Sequence, residues 1–221
     1  MPHQSDFAVM DTDNPVLRDC SAATKTALLA RGRMERLESG SVLFGDGQPA
    51  GVVLFPLKGT MQMAKATSRG RRQIICNPTA GSCGGVCMLA FGTEALADVR
   101  AINPAEVLVL DRSDFDQLIH ADPVLCRAAW QSAASCMAHL SELVAHLSFN
   151  KVSERVVLAL LDNTEKDGDL VRLTQSELAA EVGTTREVVA RFIDHGARHA
   201  RELGNVQPIA LVRRAFLHPV Q

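Results

Sequence analysis

Three groups of residues in this 221-residue chain combine types and spacings that can do chemistry. The first is polar and charged: Thr174, Ser176, Thr184, Thr185, Arg186, Glu187 and Arg191. Arg pairs bidentately with guanine and Glu accepts from the cytosine amine, which is the vocabulary of the DNA major groove. Hydroxyls beside helix N-termini suit phosphate oxygens. The second group is sulfur. Cys83 and Cys87 sit in a glycine-rich stretch that can bring two thiols to one point, with Cys76 just before it. Thiolates without a nearby carboxylate favour Cu(I), Zn(II), Hg(II) or trivalent arsenic over hard ions. The same thiols could instead form a disulfide or persulfide. The third group is apolar: Trp130, Ala133, Met137, Leu140, Val144 and Leu147 alternate spacings of three and four, which is a heptad a/d seam for a second copy of the helix.

The first group needs two helices and a tight turn. Thr174 with Glu177 and Thr184 with Glu187 read as capping boxes opening two helices, and Gly183 can take positive φ between them. Leu178, Ala179, Val182, Val188, Val189 and Phe192 would pack those helices together. The expectation is a helix-turn-helix over about residues 173–196, with Thr185, Arg186, Glu187 and Arg191 outward on the second helix. Glu187 cannot fully serve both as capping residue and as base reader. The alternative is a solvated charged face on a structural helix pair.

The seam needs one long helix. Asp122-Pro123 supplies an N-cap followed by Pro at the first helical position. Upstream, residues 15–38 read as helical and 113–120 as a short helix. Between them, short apolar stretches at 42–44, 52–55, 60–63, 74–75 and 107–110 are separated by glycine-rich turns, the texture of an antiparallel β-sandwich or roll. Residues 150–170 read as a further helix. Cys20 and Cys126 read as small buried hydrophobes.

Composition narrows the class. With 47% hydrophobic and 22% charged residues, the chain is ordinary for a globular protein. Its N-terminus lacks a basic segment followed by an apolar stretch, and no run is long and apolar enough to span a membrane, so a cytoplasmic protein with reduced thiols is expected. The net charge of −2 argues against bulk nucleic-acid binding, but residues 171–221 carry seven Arg against five acids. The β-rich stretch contains none of the seven histidines, so the ligand set of a catalytic metal barrel is missing and no enzyme is expected.

On the stretches Gly40–Ala50, Leu57–Met61 and Gly70–Ile75, followed by the turn at Gly81, the chain resembles the Crp/Fnr family of bacterial regulators over nearly its whole length. The resemblance implies an α+β protein: a cupin-like antiparallel β-roll of cyclic-nucleotide-binding type over 1–121, a long dimerisation helix over 122–149 and a winged helix-turn-helix over 150–221. It implies a homodimer on double-stranded DNA, with RNA polymerase as partner. Arg186, Glu187 and Arg191 match the family's Arg-Glu-x-x-x-Arg reading pattern, which implies an inverted repeat with TGA and TCA arms. Three departures stand out. Val86 occupies the place of the family's cyclic-nucleotide Glu, and no Arg or Lys occurs between Arg72 and Arg100, which disfavours a cyclic nucleotide. Alignment of the long helix puts Cys136 on the part facing the sensor pocket, making a third thiol for a soft metal or metalloid beside Cys83 and Cys87; a haem ligated by Cys, His or Met is the other cofactor some family members use. The segment after Ile193 is not the usual Gly-centred wing, though 209–217 could form one wing strand.

Overall fold

The computed structural model describes residues 15–68, 70–80, 94–163 and 173–202. Among the described residues, two helices, α1 (Pro15–Arg18) and α2 (Ala22–Arg31), precede seven strands. These are β1 (Arg33–Leu37), β2 (Val42–Phe44), β3 (Val52–Lys58), β4 (Met61–Ala66), β5 (Arg72–Cys76), β6 (Asp98–Ala101) and β7 (Ala105–Asp111). Helices α3 (Arg112–Ala121), α4 (Pro123–Phe149), α5 (Val152–Asp162), α6 (Gln175–Val182) and α7 (Arg186–Glu202) complete the order. No helix is long and apolar enough to cross a membrane among the described residues.

The strands form two sheets, ordered β1-β7-β3 and β2-β6-β4-β5. Pairing is antiparallel, with Leu54 opposite Val109 and Met63 opposite Val99. Strands β3 and β7 are buried on both faces, which is why they read as continuous apolar runs. One face of β3 sends Val53, Phe55 and Leu57 towards the helices, where they meet Leu28, Phe115 and Leu125. The other sends Val52 and Leu54 towards Met61, Met63 and Val99 of the second sheet. The Phe55 and Phe115 rings lie 6.0 Å apart at a tilt of 59°. Fully burying one such ring stabilises by roughly 1.5–3 kcal/mol.

Two readings of the sequence are corrected here. Residues 15–38 are not one helix: Ser21 caps a new start, its side chain accepting from the Thr24 N–H, and Gly32 ends α2. Arg33–Leu37 is a strand paired with β7. Helix α5 stops at Asp162, where Asn163 caps it, and residues 164–172 lie outside the described residues.

The chain divides into two units, Met1–Lys65 with Ile75–Ser141, and Ala66–Ile74 with Glu142–Gln221. Helix α4 runs through the division, as does the β4–β5 hairpin.

Asp122 fixes the start of α4. Its carboxylate accepts from the Val124 N–H at 2.8 Å, the Thr24 hydroxyl at 2.6 Å and the Ser21 N–H at 3.2 Å. These bonds, the Thr24 hydroxyl foremost, hold the Asp122 pKa below the usual carboxylate value against the opposing effect of burial. Asp122→Ala removes a cap and strands buried donors, so it lowers stability by about 2–4 kcal/mol in denaturant melts at neutral pH. A depressed folded-state pKa contributes stability above the unfolded pKa of about 3.9 and loses it as pH falls through the folded value. The gap between wild type and variant therefore closes below about pH 4.

Candidate nucleic-acid interface and sensor thiols

Helix α6 opens with a complete capping box. The Thr174 side chain accepts from the Glu177 N–H at 3.2 Å, and the Glu177 carboxylate accepts from the Thr174 N–H at 2.8 Å. The helix closes at Gly183, whose φ of +69° is left-handed backbone that only glycine adopts without strain. A Cβ there would also collide with Gln73 Oε1 and stand 3.0 Å from Leu147. Helix α7 then starts at Arg186. Leu178, Ala179, Val182 and Val189 are buried with Val156 and Ala159 of α5, with Phe192 packed against them, so the three helices share one core.

The first turn of α7 differs from the expected box. Its cap position is Thr185, not Thr184: the carbonyl of Thr185 accepts from Val188 and Val189 at 3.1 and 3.2 Å. Thr184 is buried at 7% exposure, which leaves little of it for a phosphate contact. Glu187 bonds to its own backbone N–H and to the Thr185 hydroxyl. Those bonds, with Arg186 and Arg191 nearby, hold its pKa below the ordinary value. Arg186, Glu187 and Arg191 are all exposed, as are Thr174 and Ser176, while Thr185 is half-buried. One face therefore presents two cations around an ionised carboxylate, fit for donors and an acceptor on base edges. Helix α7 continues to Glu202, through the segment that departed from the family's wing pattern. The candidate wing strand, 209–217, lies outside the described residues.

Two supports of this turn, and one of the end of α4, were not read from the sequence. The Arg71 guanidinium donates to the Gly183 carbonyl at 3.1 Å, and the Gln73 amide to the Glu181 carbonyl at 3.2 Å, so the hairpin tip satisfies carbonyls left open at the end of α6. Arg155 donates to the carbonyls of Leu147 and Asn150 at 2.9 and 3.4 Å, where a cation is favoured at the end of α4. Gly70-Arg-Arg-Gln offered no local signal, since a cap supplied 108 to 112 residues away leaves no spacing to read.

Along α4, Trp130, Met137 and Val144 are 73%, 67% and 61% exposed. Ala133, Leu140 and Leu147 are half-buried. Leu147 reaches the Gly183 turn.

Cys76 and Cys136 are half-buried free thiols, and Cys83 and Cys87 lie outside the described residues. Burial first, and then the charge of Cys136, push the Cys76 thiol up to about 11. Cys20 is buried in the helix-side core, as expected of a small hydrophobe.

Residues 34–122 match the family model of the cyclic nucleotide-binding domain. The cAMP-activated global transcriptional regulator CRP of Salmonella typhimurium is 28% identical over 174 residues, covering 75% of this chain and 82% of that protein. The cAMP-activated regulator Vfr of Pseudomonas aeruginosa is 27% identical over 177 residues, covering 75% and 83%. Among solved structures, the c-di-GMP responsive global regulator CLP of Xanthomonas campestris shares the fold, with a TM-score of 0.71 and 19% identity over 81% of this chain and 93% of that one. The chain is similar to regulators of the Crp/Fnr type in sequence and in fold. It has the α+β fold of β-roll and helix-turn-helix expected from its sequence. The relatives are transcription regulators, and their names carry two different nucleotides, so the fold alone does not assign an effector to this chain.

Proposed function

We propose that the chain is a homodimeric regulator that reads an inverted DNA repeat with TGA and TCA arms, and that its sensor unit answers to a thiophilic metal or metalloid. The exposed set Arg186, Glu187 and Arg191 on one face of α7, after the left-handed Gly183 turn, carries the DNA reading. The exposed Trp130, Met137 and Val144, seven residues apart, support a second copy along α4. Two such copies bring their recognition helices to half-sites one helical turn apart. RNA polymerase is the expected second partner.

The effector reading rests on the chemistry of the sensor segment. Val86 and the lack of any Arg or Lys between Arg72 and Arg100 leave an anionic phosphate without a cation there. Arg100 itself donates to the Gln62 amide oxygen at 2.8 and 3.1 Å. Cys83, Cys87 and Cys136 would hold the thiophilic centre, with Cys76 beside them. Thiolate sulfur would supply soft, covalent ligation there.

Fluorescence anisotropy with a labelled palindrome tests the DNA reading. The palindrome should bind about 10³-fold or more tighter than a scrambled duplex at physiological salt. Equal affinity for both duplexes would refute it. For the effector, native mass spectrometry with an absorption spectrum should show a protein that takes up a soft metal or arsenic and loses that uptake on Cys83→Ser or Cys87→Ser. A Soret band, or unchanged uptake in both variants, would remove the proposed loop.

A further inference from the structure

Helices α5 and α7 border a cavity of about 330 Å³. From α7 it is lined by Val188, Arg191, Phe192 and His195. The last three follow the first by three, four and seven residues, so one face of the helix supplies them all. From α5 come Ser153 and Val156, again three residues apart. Val156 is fully buried and Phe192 packs against the same core, so the inner wall is apolar. Arg191 and His195 are exposed and Ser153 is half-buried, which sets the polar groups towards the surface.

This lining selects its occupant. An apolar wall with a few converging polar groups is the make-up of a small-molecule site. A guanidinium is matched best by a carboxylate, which takes two parallel N–H donors on its two oxygens. The His195 ring and the Ser153 hydroxyl offer further donors. No Asp or Glu lines the cavity among the described residues, and Glu187, near Arg191, stands outside the lining. An anion therefore meets a cation at the rim and no like charge in the wall, whereas a cationic ligand would face Arg191.

We infer that this cavity binds a small monocarboxylate with a compact apolar body, and that the bound carboxylate keeps Arg191 from DNA. The ligand site stands on the cavity alone; its effect on DNA rests on the reading of Arg191 as a base contact given above. One guanidinium cannot serve a carboxylate in the cavity and a base edge together. The two ligands therefore exclude each other, and each weakens the other by the same factor. A ligand of this kind acts on the recognition helix directly, without passing through the β-roll or its thiols.

The probe is 2-naphthoate, two fused rings with one carboxylate, titrated into the full-length protein without DNA and followed by ligand-observed NMR. A dissociation constant of about 1 mM or tighter is expected for a ligand of this size. 2-Naphthamide, alike in shape but uncharged, should bind about 10-fold more weakly or worse. Ser153→Phe, which puts a ring into the cavity from α5, should abolish binding. Circular dichroism checks that this variant is folded, and the comparison of acid with amide needs no variant. In anisotropy titrations, 2-naphthoate at about ten times its dissociation constant should weaken palindrome binding about 10-fold or more, while acetate at the same ionic strength leaves it unchanged. No binding of 2-naphthoate, equal binding of the amide, or undiminished binding to folded Ser153→Phe would overturn the site. An equal effect of acetate would reduce the loss of DNA affinity to salt and overturn the exclusion. If the acid binds as expected and palindrome affinity does not change, the site stands and Arg191 is not a base reader. If the protein prefers no palindrome at all, the DNA reading fails, and the titration without DNA still decides the cavity.

Discussion

Arg186→Ala should weaken binding to the inverted repeat by about 1–3 kcal/mol per half-site, the discrimination that a good bidentate pair supplies. A dimer engages both half-sites, so the loss is counted twice, and affinity falls by about 30-fold to about 2 × 10⁴-fold. Arg186 stands at the first position of α7, exposed and next to the cap residue Thr185, where recognition helices approach base edges. Arg191→Ala should act in the same direction. Glu187→Ala should behave differently: it removes an acceptor whose ionised form is held by its own N–H and by Thr185, so base preference at one position relaxes more than total affinity falls. Anisotropy titrations across the four variants of one half-site base pair separate these effects. If Arg186→Ala lowers affinity equally for palindrome and scrambled DNA, Arg186 touches phosphate and not a base.

Met137→Asp should convert the protein to monomers and, through that, lower DNA affinity by a margin comparable to the loss of a reader. Met137 lies at the centre of the exposed apolar series, between Trp130 and Val144. A carboxylate at each of two facing positions would be buried without a cation, which a seam of this size cannot tolerate. Once the two reading units are untethered, the second half-site binds without its raised effective concentration, a loss of about 10²- to 10⁴-fold. Sedimentation velocity reads the mass directly. A variant that remains dimeric and binds the palindrome as wild type would place the dimer contact elsewhere.

The sequence was most legible where local chemistry decides structure. Thr174, Glu177 and Gly183 announced α6 and its end because a capping box and a left-handed glycine act within a few residues. Strands β3 and β7 showed as apolar runs because both of their faces are buried. Strand β1 was hidden because Met34 and Leu37 are spaced as on a helix, and its pairing with β7 spans some seventy residues of sequence. Strand β6 was hidden too: Asp98-Val-Arg-Ala has one β-branched residue, and its strand character comes from lying between β2 and β4. At the reading helix, two adjacent threonines look alike in sequence, and only the start of α7 shows which one caps and which is buried. The meeting of β5 with α4 is a long-range product of the fold, and the His139 bond to Ile75 reveals it.

Selection from a random duplex library with the full-length protein tests the central claim most directly, because it assumes no site. The predicted winner is an inverted repeat with TGA and TCA arms, its half-site centres about 34–36 Å apart. Enrichment of a lone, non-palindromic half-site, or of no sequence at all, would contradict a dimer that reads DNA through Arg186, Glu187 and Arg191.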